Sequence, residues 1–452
     1  MSSSKSKDAH PSATSWEVIR VARELSESFH RAKVPKEERA YWVALLCLAA
    51  EDGVALEEGA LARGLDEHAQ RFFGAADQAE LFDNARVRPR GEAARRCERA
   101  LSDARRILAE RGLAQLASST DLLGLLLEAF LRYGNGVKEL GIVLTPAHLC
   151  RFASQILGVG EGDLVYDPAA GSGGFLVAAL RDGATRVFGA EVSPQLALLA
   201  VVNLHLHEAR EGRLRADTCF GAQLRAASEQ TEHPEFGPLG DEVAPLRRVS
   251  RVLMNPPFSL KSSSELEPHF IDHALAQMVP GGKLLAIIPS SILYAAEHAS
   301  WRASLLASHR LLNVTLLPLD VFYPVATETL VMVVSAWESH PVKAPVAWAR
   351  VCDDGYVKRK GFRVPGPRTG RGGELDQLAA PLRAWINDAV QARSRPGYLE
   401  FRPISSRELL PQAHLGTPEL DETVHARKVA AIYRALISQR WDAEARSGEG
   451  GE

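Results

Sequence analysis

A short apolar run, Leu164-Val165-Tyr166, opens into Asp167-Pro168-Ala169-Ala170-Gly171-Ser172-Gly173-Gly174-Phe175 and passes directly into a second apolar run, Leu176-Val177-Ala178-Ala179-Leu180. A strand that turns through glycines into a helix is the opening unit of a parallel sheet, because parallel strands need crossover helices between them. The chain from Gly141 onward keeps that pattern, alternating short apolar or β-branched runs with amphipathic segments. Further strands are expected at Arg186–Ala190, Arg251–Met254, Lys283–Ile288, Leu312–Leu317 and Thr329–Val334. The last two lie close together, which suits an antiparallel hairpin at a sheet edge. The fold class is therefore α/β, a mostly parallel sheet with an antiparallel edge strand and helices on both faces.

Residues 16 to about 135 follow a different period. Apolar positions recur at three- and four-residue steps in Trp16-Val18-Ile19-Val21-Ala22-Leu25 and in Tyr41-Val43-Ala44-Leu45-Cys47-Leu48. A further helix is expected from Ser119 or Thr120, ending near Gly134-Asn135-Gly136. The expected organisation is a polar tail at 1–15, a helical N-terminal domain at 16–138, an α/β domain at 139–345 and a C-terminal extension at 346–452. Beyond Trp337 the chain is expected to loosen, with a Gly/Arg-rich linker at 361–373 and a last helix from about Asp421 to Arg440. The five cysteines, Cys47, Cys97, Cys150, Cys219 and Cys352, form no CxxC or Cys/His cluster, so they read as reduced packing residues, with neither zinc nor disulfides implied. No apolar run reaches the length of a membrane span, and the polar start carries no signal region, so the cytoplasm is the expected compartment. A net charge of -3 confines any nucleic-acid surface to a local patch.

The glycine loop suits a nucleotide-type ligand, because glycines let backbone approach it without Cβ interference. Its spacing is neither GxGxxG nor GxxxxGK[ST], which disfavours a pyrophosphate. Asp167 ahead of the glycines suits a cationic ligand such as the methionine ammonium of S-adenosylmethionine. Glu191, after Phe188-Gly189-Ala190, is placed to accept from both ribose hydroxyls, and Asp217, after Leu214-Arg215-Ala216, from the adenine amine. One acid at a strand end is ordinarily a helix cap or a solvated loop residue; these stand at successive strand ends behind one glycine loop.

The strand Arg251-Val252-Leu253-Met254 runs out into Asn255-Pro256-Pro257-Phe258. Asparagine offers a side-chain carbonyl, and the prolines offer carbonyls without competing N–H groups, so the turn aims acceptors at an exocyclic amine. Phe258 adds a flat face on which a base can stack. Pro-Pro after a strand can also be simple punctuation, and the cofactor loop upstream decides against that reading.

In this order the segments resemble the N6-adenine DNA methyltransferases, specifically the modification subunits of type I restriction-modification systems. The resemblance spans roughly Ser119 to Trp337: Asp121-Leu122-Leu123-Gly124 and Glu128, Gly141-Ile142-Val143-Leu144-Thr145-Pro146, DPAAGSGGF, Glu191, Asp217, NPPF, Gly281-Gly282-Lys283, Ile288-Pro289 and Leu317-Pro318-Leu319-Asp320-Val321-Phe322. It implies a Rossmann-like class I S-adenosylmethionine-dependent methyltransferase domain. Its cofactor would be held by Leu144, Thr145, Pro146, Asp167, Pro168, Ala169, Gly171, Ser172, Gly173, Gly174, Glu191 and Asp217. Ile142, Val143 and Leu144 depart from the glutamine and aromatics that family members carry before Thr-Pro. Asn255, Pro256, Pro257 and Phe258 are the expected catalytic residues, and Phe322 resembles the aromatic that members place on the other side of the flipped adenine. No metal is needed, since the sulfonium is already an activated donor.

The implied partners are double-stranded DNA, a specificity subunit and a separate restriction or helicase subunit, since no Walker motif is present. Lys358, Arg359, Lys360 and Arg363, followed by Arg368 and Arg371, are the expected phosphate contacts. Arg86, Arg88, Arg90, Arg95, Arg96 and Arg99, interleaved with Glu92 and Glu98, read as a solvated charged face. The alternatives are an RNA-base or protein-glutamine methyltransferase with the same tetrapeptide, and a catalytically silent scaffold.

Overall fold

The computed structural model describes residues 11–76, 78–111, 123–127, 144–209, 211–217, 219, 249–258, 266–323, 327–359, 362–366 and 373–417. The N-terminal part is helical, with α1 (Pro11–Arg31), α2 (Lys36–Glu51), α3 (Leu61–Ala75), α4 (Ala79–Ala85) and α5 (Gly91–Glu110). The first of these begins inside the stretch expected to be a polar tail. Residues 123–127 are helical with Leu123, Leu126 and Leu127 buried, while both ends of the helix expected there fall outside the described residues. The helix expected at Asp421–Arg440 falls wholly outside them.

The remaining strands and helices alternate. They are α6 (Ala147–Leu157), β1 (Leu164–Asp167), α7 (Gly174–Arg181), β2 (Arg186–Ala190), α8 (Pro194–Leu206), β3 (Glu211–Arg215) and β4 (Val249–Met254). Then come α9 (Glu267–Ala276), β5 (Met278–Pro289), α10 (Ala299–Ser308), β6 (Arg310–Leu316), β7 (Thr329–Ser335) and β8 (Pro345–Arg350). The end of the described chain adds β9 (Tyr356–Arg359), β10 (Phe362–Pro365), α11 (Glu374–Asp388), β11 (Leu399–Pro403) and α12 (Pro411–His414).

Nine strands make one sheet in the order β11-β8-β6-β7-β5-β4-β1-β2-β3, and β9 and β10 make a separate antiparallel hairpin. From β5 to β3 every neighbour is parallel, with β1 flanked by β4 and β2. Strands β6 and β7 pair antiparallel as expected, but not at an edge: β7 lies between β5 and β6, and β8 and β11 continue the sheet beyond β6. The chain after Trp337 thus does not loosen at once. Val346, Ala347, Trp348 and Ala349 are buried on both faces, which is why they join the core.

Two apolar clusters cover the two faces of the sheet. One joins Phe152, Leu176 and Leu198 from α6, α7 and α8 to Leu382 and Trp385 of α11, and continues into the N-terminal helices through Leu45, Leu65 and Phe73. The other joins Phe270 and Ile271 of α9 and Leu305 of α10 to Trp348. Because α8 is buried around nearly its whole circumference, it needs cover on its outer side as well, and α2 supplies it. His205 of α8 closes that junction with its Nε2 2.8 Å from Asp52 Oδ1.

Of the N-terminal arginines, Arg88, Arg90, Arg95 and Arg99 are exposed, as expected of a solvated face, whereas Arg86 and Arg96 are partly buried. Arg86 pairs with Asp66 and Asp83, and Arg96 with Glu92. Glu98 has a structural role that sequence reading missed, accepting from the N–H groups of Leu61 and Ala62 at the start of α3. Four cysteines are buried and none is bonded to another; Cys352 is exposed and so is not a packing residue. No described helix is long and apolar enough to cross a membrane.

Candidate active site

The sheet order reverses direction between β1 and β4: β2 and β3 extend one way from β1, and β4 and β5 the other. Ligands of such sheets bind beyond the carboxyl ends of the strands at this reversal. Asp167 ends β1, Glu191 follows β2, Asp217 follows β3 and Asn255 follows β4, so these residues stand along one edge of four adjacent strands.

The glycine loop is built as its sequence requires. Gly171 and Gly173 take φ of +55° and +85°, a region where side chains are strained, and Gly173 starts α7. A Cβ on Gly173 would lie 3.3 Å from Ala200 Cβ. Glu191 holds this loop from below: its Oε2 accepts from Gly171 N–H at 2.8 Å, and its Oε1 from Ser193 N–H at 2.9 Å. Asn203 of α8, fully buried, donates to Ser172 O at 3.1 Å. These contacts fix the cradle in advance of any ligand, and none was legible in the motif itself.

Asp167 is 1 % exposed, and its Oδ1 accepts from Ala169 N–H at 3.0 Å. Burial pushes its carboxyl up to about 8; the Ala169 N–H pulls it down, and the charge of Glu191 raises it further. Glu191 is raised as well, again chiefly by burial. Two buried carboxyl groups beside the glycine backbone, both raised by burial, are well matched to a ligand carrying an ammonium and vicinal hydroxyls. The residues present thus fit S-adenosylmethionine. Asp217 differs from both: it is exposed, with Oδ2 3.2 Å from Arg215 Nη2, so it lies at the rim of the site. Val192, next to Glu191, is 69 % exposed, a large apolar side chain left open at this edge that sequence reading passed over.

Gly189 of β2 explains why the loop lies so close to the sheet. A Cβ there would stand 2.6 Å from Leu214 Cδ1 and 2.8 Å from Ala170 Cβ. The leucine can yield, but Ala170, in the glycine loop, cannot. Gly189→Ala is expected to destabilise the fold by about 1–3 kcal/mol, read as a lower thermal midpoint, and to weaken cofactor binding through Ala170. An unchanged midpoint would contradict this packing.

On the other side of β1, Asn255 Nδ2 donates to Thr145 Oγ1 at 3.0 Å. Thr145 is 110 residues away and directly precedes Pro146, the residue that caps α6. The bond fixes the amide with its nitrogen toward Thr145 and its carbonyl turned the other way. Leu144 packs against the core, Pro146 and Pro168 are buried, and Ala169 is half-buried. In the tetrapeptide Pro256 is buried, Pro257 exposed and Phe258 half-buried.

The position of Phe322 corrects the expectation. It is 4 % exposed and meets Phe258 edge to face, with centroids 5.7 Å apart and planes at 88°. Rings in direct contact leave no slot for a base between them, so in this arrangement Phe322 braces Phe258. Leu319, earlier in that loop, is open, 61 % exposed.

The basic cluster is also corrected in part. Arg363 is buried, and its guanidinium meets both oxygens of Asp354 at 2.7 and 2.8 Å, so it is a structural cation. Lys358 is exposed, with its Nζ 4.4 Å from the ring centre of Tyr323. The Arg359 side chain and Lys360, Arg368 and Arg371 fall outside the described residues. Among the described residues no group of His, Cys, Asp and Glu could hold a metal ion.

A family model described as N-6 DNA Methylase matches residues 118–344. Among curated proteins, the type II restriction enzyme and methyltransferase RM.BcgI of Heyndrickxia coagulans is 30% identical over 291 residues, covering 60% of this chain and 43% of that protein. The type I restriction enzyme EcoKI methylase subunit of Escherichia coli K12 is 26% identical over 223 residues, covering 42% of this chain and 40% of that subunit. This chain therefore spans about two-fifths of the length of these relatives. Among solved structures, a type I restriction-modification methyltransferase subunit from Streptococcus thermophilus superposes with a TM-score of 0.57 at 16% identity, over 86% of this chain and 96% of that one. That likeness supports the fold, down to the helical N-terminal part.

Proposed function

This chain belongs to the N-6 DNA methylase family, and we propose that it transfers a methyl group from S-adenosylmethionine to the N6 amine of a flipped adenine in DNA. The observation that carries this reading is the Asn255–Thr145 hydrogen bond, which joins the amine-gripping turn to the Thr-Pro segment that the resemblance assigns to the cofactor. Family membership favours DNA over the RNA-base and protein-glutamine alternatives. The intact cradle and tetrapeptide disfavour a silent scaffold.

When bound, S-adenosylmethionine supplies a methyl group already activated on a sulfonium. Asp167 would pair with its ammonium, Glu191 with the ribose hydroxyls, Asp217 at the rim with the adenine amine, and Leu144, Thr145 and Pro146 would cover the methionine end. The loop from Pro168 to Gly174 supplies open backbone. The Asn255 carbonyl and the Pro256 carbonyl would accept hydrogen bonds from the two N6 hydrogens of the target, favouring a pyramidal nitrogen; its lone pair would bond the methyl carbon as the carbon–sulfur bond breaks to leave a neutral thioether, and the surplus N6 proton would pass to solvent. Phe258 stacks on the extruded base, offsetting a few kcal/mol of lost stacking in the duplex. Phe322 keeps that ring upright. Orientation and fixed acceptors carry the step without a covalent intermediate.

The protein is further proposed to work as the modification subunit of a restriction-modification system, with a specificity subunit choosing the sequence and restriction or helicase activity in another chain. Lys358 and its neighbours Arg359 and Lys360 are the proposed phosphate contacts. The test is methylome sequencing of cells with and without the chain. N6-methyladenine at one defined motif, present only with the chain, is the expected result; identical methylomes would count against the proposal.

Asp167 adds a proton signature. With its carboxyl at about 8 in the unliganded protein, it is mostly protonated at pH 7, and a cationic ligand requires it ionised. Cofactor binding at pH 7 is therefore expected to release protons, read by calorimetry in buffers of different ionisation enthalpy. The release should vanish in Asp167→Asn; its absence in the unaltered protein would contradict the pairing.

A further inference from the structure

We propose that Asp354 is a positioning residue that locks together the two segments of the catalytic edge, one carrying Thr145 and the other carrying Phe322. This rests on the functional reading above and extends it to a buried network outside the motifs. Asp354 is 6 % exposed and lies in the turn between β8 and β9. Its Oδ2 is 3.0 Å from His148 Nε2 and accepts from Arg363 Nη1 at 2.8 Å. Its Oδ1 accepts from Arg363 Nη2 at 2.7 Å and from Tyr356 N–H at 3.1 Å.

Each partner leads to a different part of the site. His148 stands in the first turn of α6, three residues after Thr145, and its ring is stacked on Tyr356 at 4.0 Å with planes at 17°. Arg363 Nη2 is also 3.6 Å from Asp320 Oδ1, and Asp320 precedes Phe322 by two residues. Lys358, on the same hairpin, lies over Tyr323, the residue after Phe322. The β9–β10 hairpin thus clasps both segments, although it belongs to no strand of the main sheet.

The chemistry favours geometry over stability as the reason for this cluster. Burial alone would raise the Asp354 carboxyl, yet His148 and Arg363 hold it well below the usual carboxylate range, so it is a buried anion. Buried ion networks yield little net stability against apolar packing, but their bidentate contacts fix orientation tightly. Removing the charge frees His148 and Arg363 together, and misplacement by a fraction of an ångström is enough to slow a positioned reaction.

The test uses the full chain, co-purified with any subunits it holds, and compares Asp354→Asn with Asp320→Asn. Binding of S-adenosylhomocysteine is measured by calorimetry, single-turnover methyl transfer to unmethylated plasmid DNA at saturating cofactor, and folding by thermal melting. Asp354→Asn is expected to weaken cofactor binding and to slow transfer, each about tenfold. Asp320→Asn, which reaches only the Phe322 side, is expected to slow transfer while leaving cofactor affinity within about twofold. Unaltered binding and transfer in folded Asp354→Asn would overturn the proposal, as would an unaltered rate in Asp320→Asn should Asp354→Asn fail to fold. Asn255→Ala separates the two readings: if it retains transfer the catalytic reading fails, whereas its inactivity beside an unaffected Asp354→Asn removes only the clasp.

Discussion

Replacing Asn255 by alanine is expected to lower single-turnover methyl transfer by roughly 10²–10³-fold while cofactor and DNA affinities stay within about threefold. The adenine amine is a weak nucleophile because its lone pair is delocalised into the ring. Acceptors that hold both hydrogens help only as the nitrogen pyramidalises, so their loss falls on the chemical step. Asn255 is well placed to act this way, since it follows a buried strand, is bonded to Thr145 through its nitrogen, and is followed by a buried proline. Because that bond also reaches the Thr-Pro segment, Thr145→Val should reproduce part of the loss. A variant whose cofactor affinity collapsed while its rate at saturation held would show Asn255 to be a binding residue.

The second large effect is expected at Asp167. Asp167→Ala should weaken cofactor binding by roughly 10²-fold, since truncating one member of a desolvated charge pair costs about 2–5 kcal/mol. Asp167 is buried at the end of β1 with Ala169 N–H as a partner, and removing it leaves that donor and the incoming ammonium both uncompensated. Glu191 cannot substitute, because it stands after β2 rather than at the end of β1 and is assigned to the ribose hydroxyls. Titration by calorimetry reads the effect directly, and an affinity within threefold of the unaltered protein would place the ammonium elsewhere.

The parallel half of the sheet was legible because burial on both faces leaves continuous apolar runs. Arg186–Ala190 coincides with β2, and β1 and β4 differ only at their ends. The position of β7 was not legible, since strand order depends on long-range pairing that local pattern does not encode. The same holds for β8 and β11, which read as loose chain because their contacts are with β6 and with each other. In the candidate site, motif spacing singled out Asp167, Glu191 and Asn255, which the fold brings to one edge of the sheet. It could not reveal that Thr145 bonds Asn255 or that Glu191 holds Gly171, as each contact spans a fold-dependent distance in sequence. Composition misled at Arg363: a cation in a Gly- and Arg-rich stretch reads as solvated, and only the fold brings Asp354 and Asp320 against it.

The central claim is the identity of the methylated atom. Purified chain, with any subunits it retains, is incubated with S-adenosylmethionine carrying a labelled methyl group and with unmethylated DNA, which is then digested to nucleosides and resolved by mass spectrometry. The account predicts label in N6-methyldeoxyadenosine and in no other nucleoside, with label from the Asn255→Ala protein lowered roughly 10²–10³-fold at equal time. Label in a methylated cytosine, in the protein itself or undiminished in Asn255→Ala would contradict it.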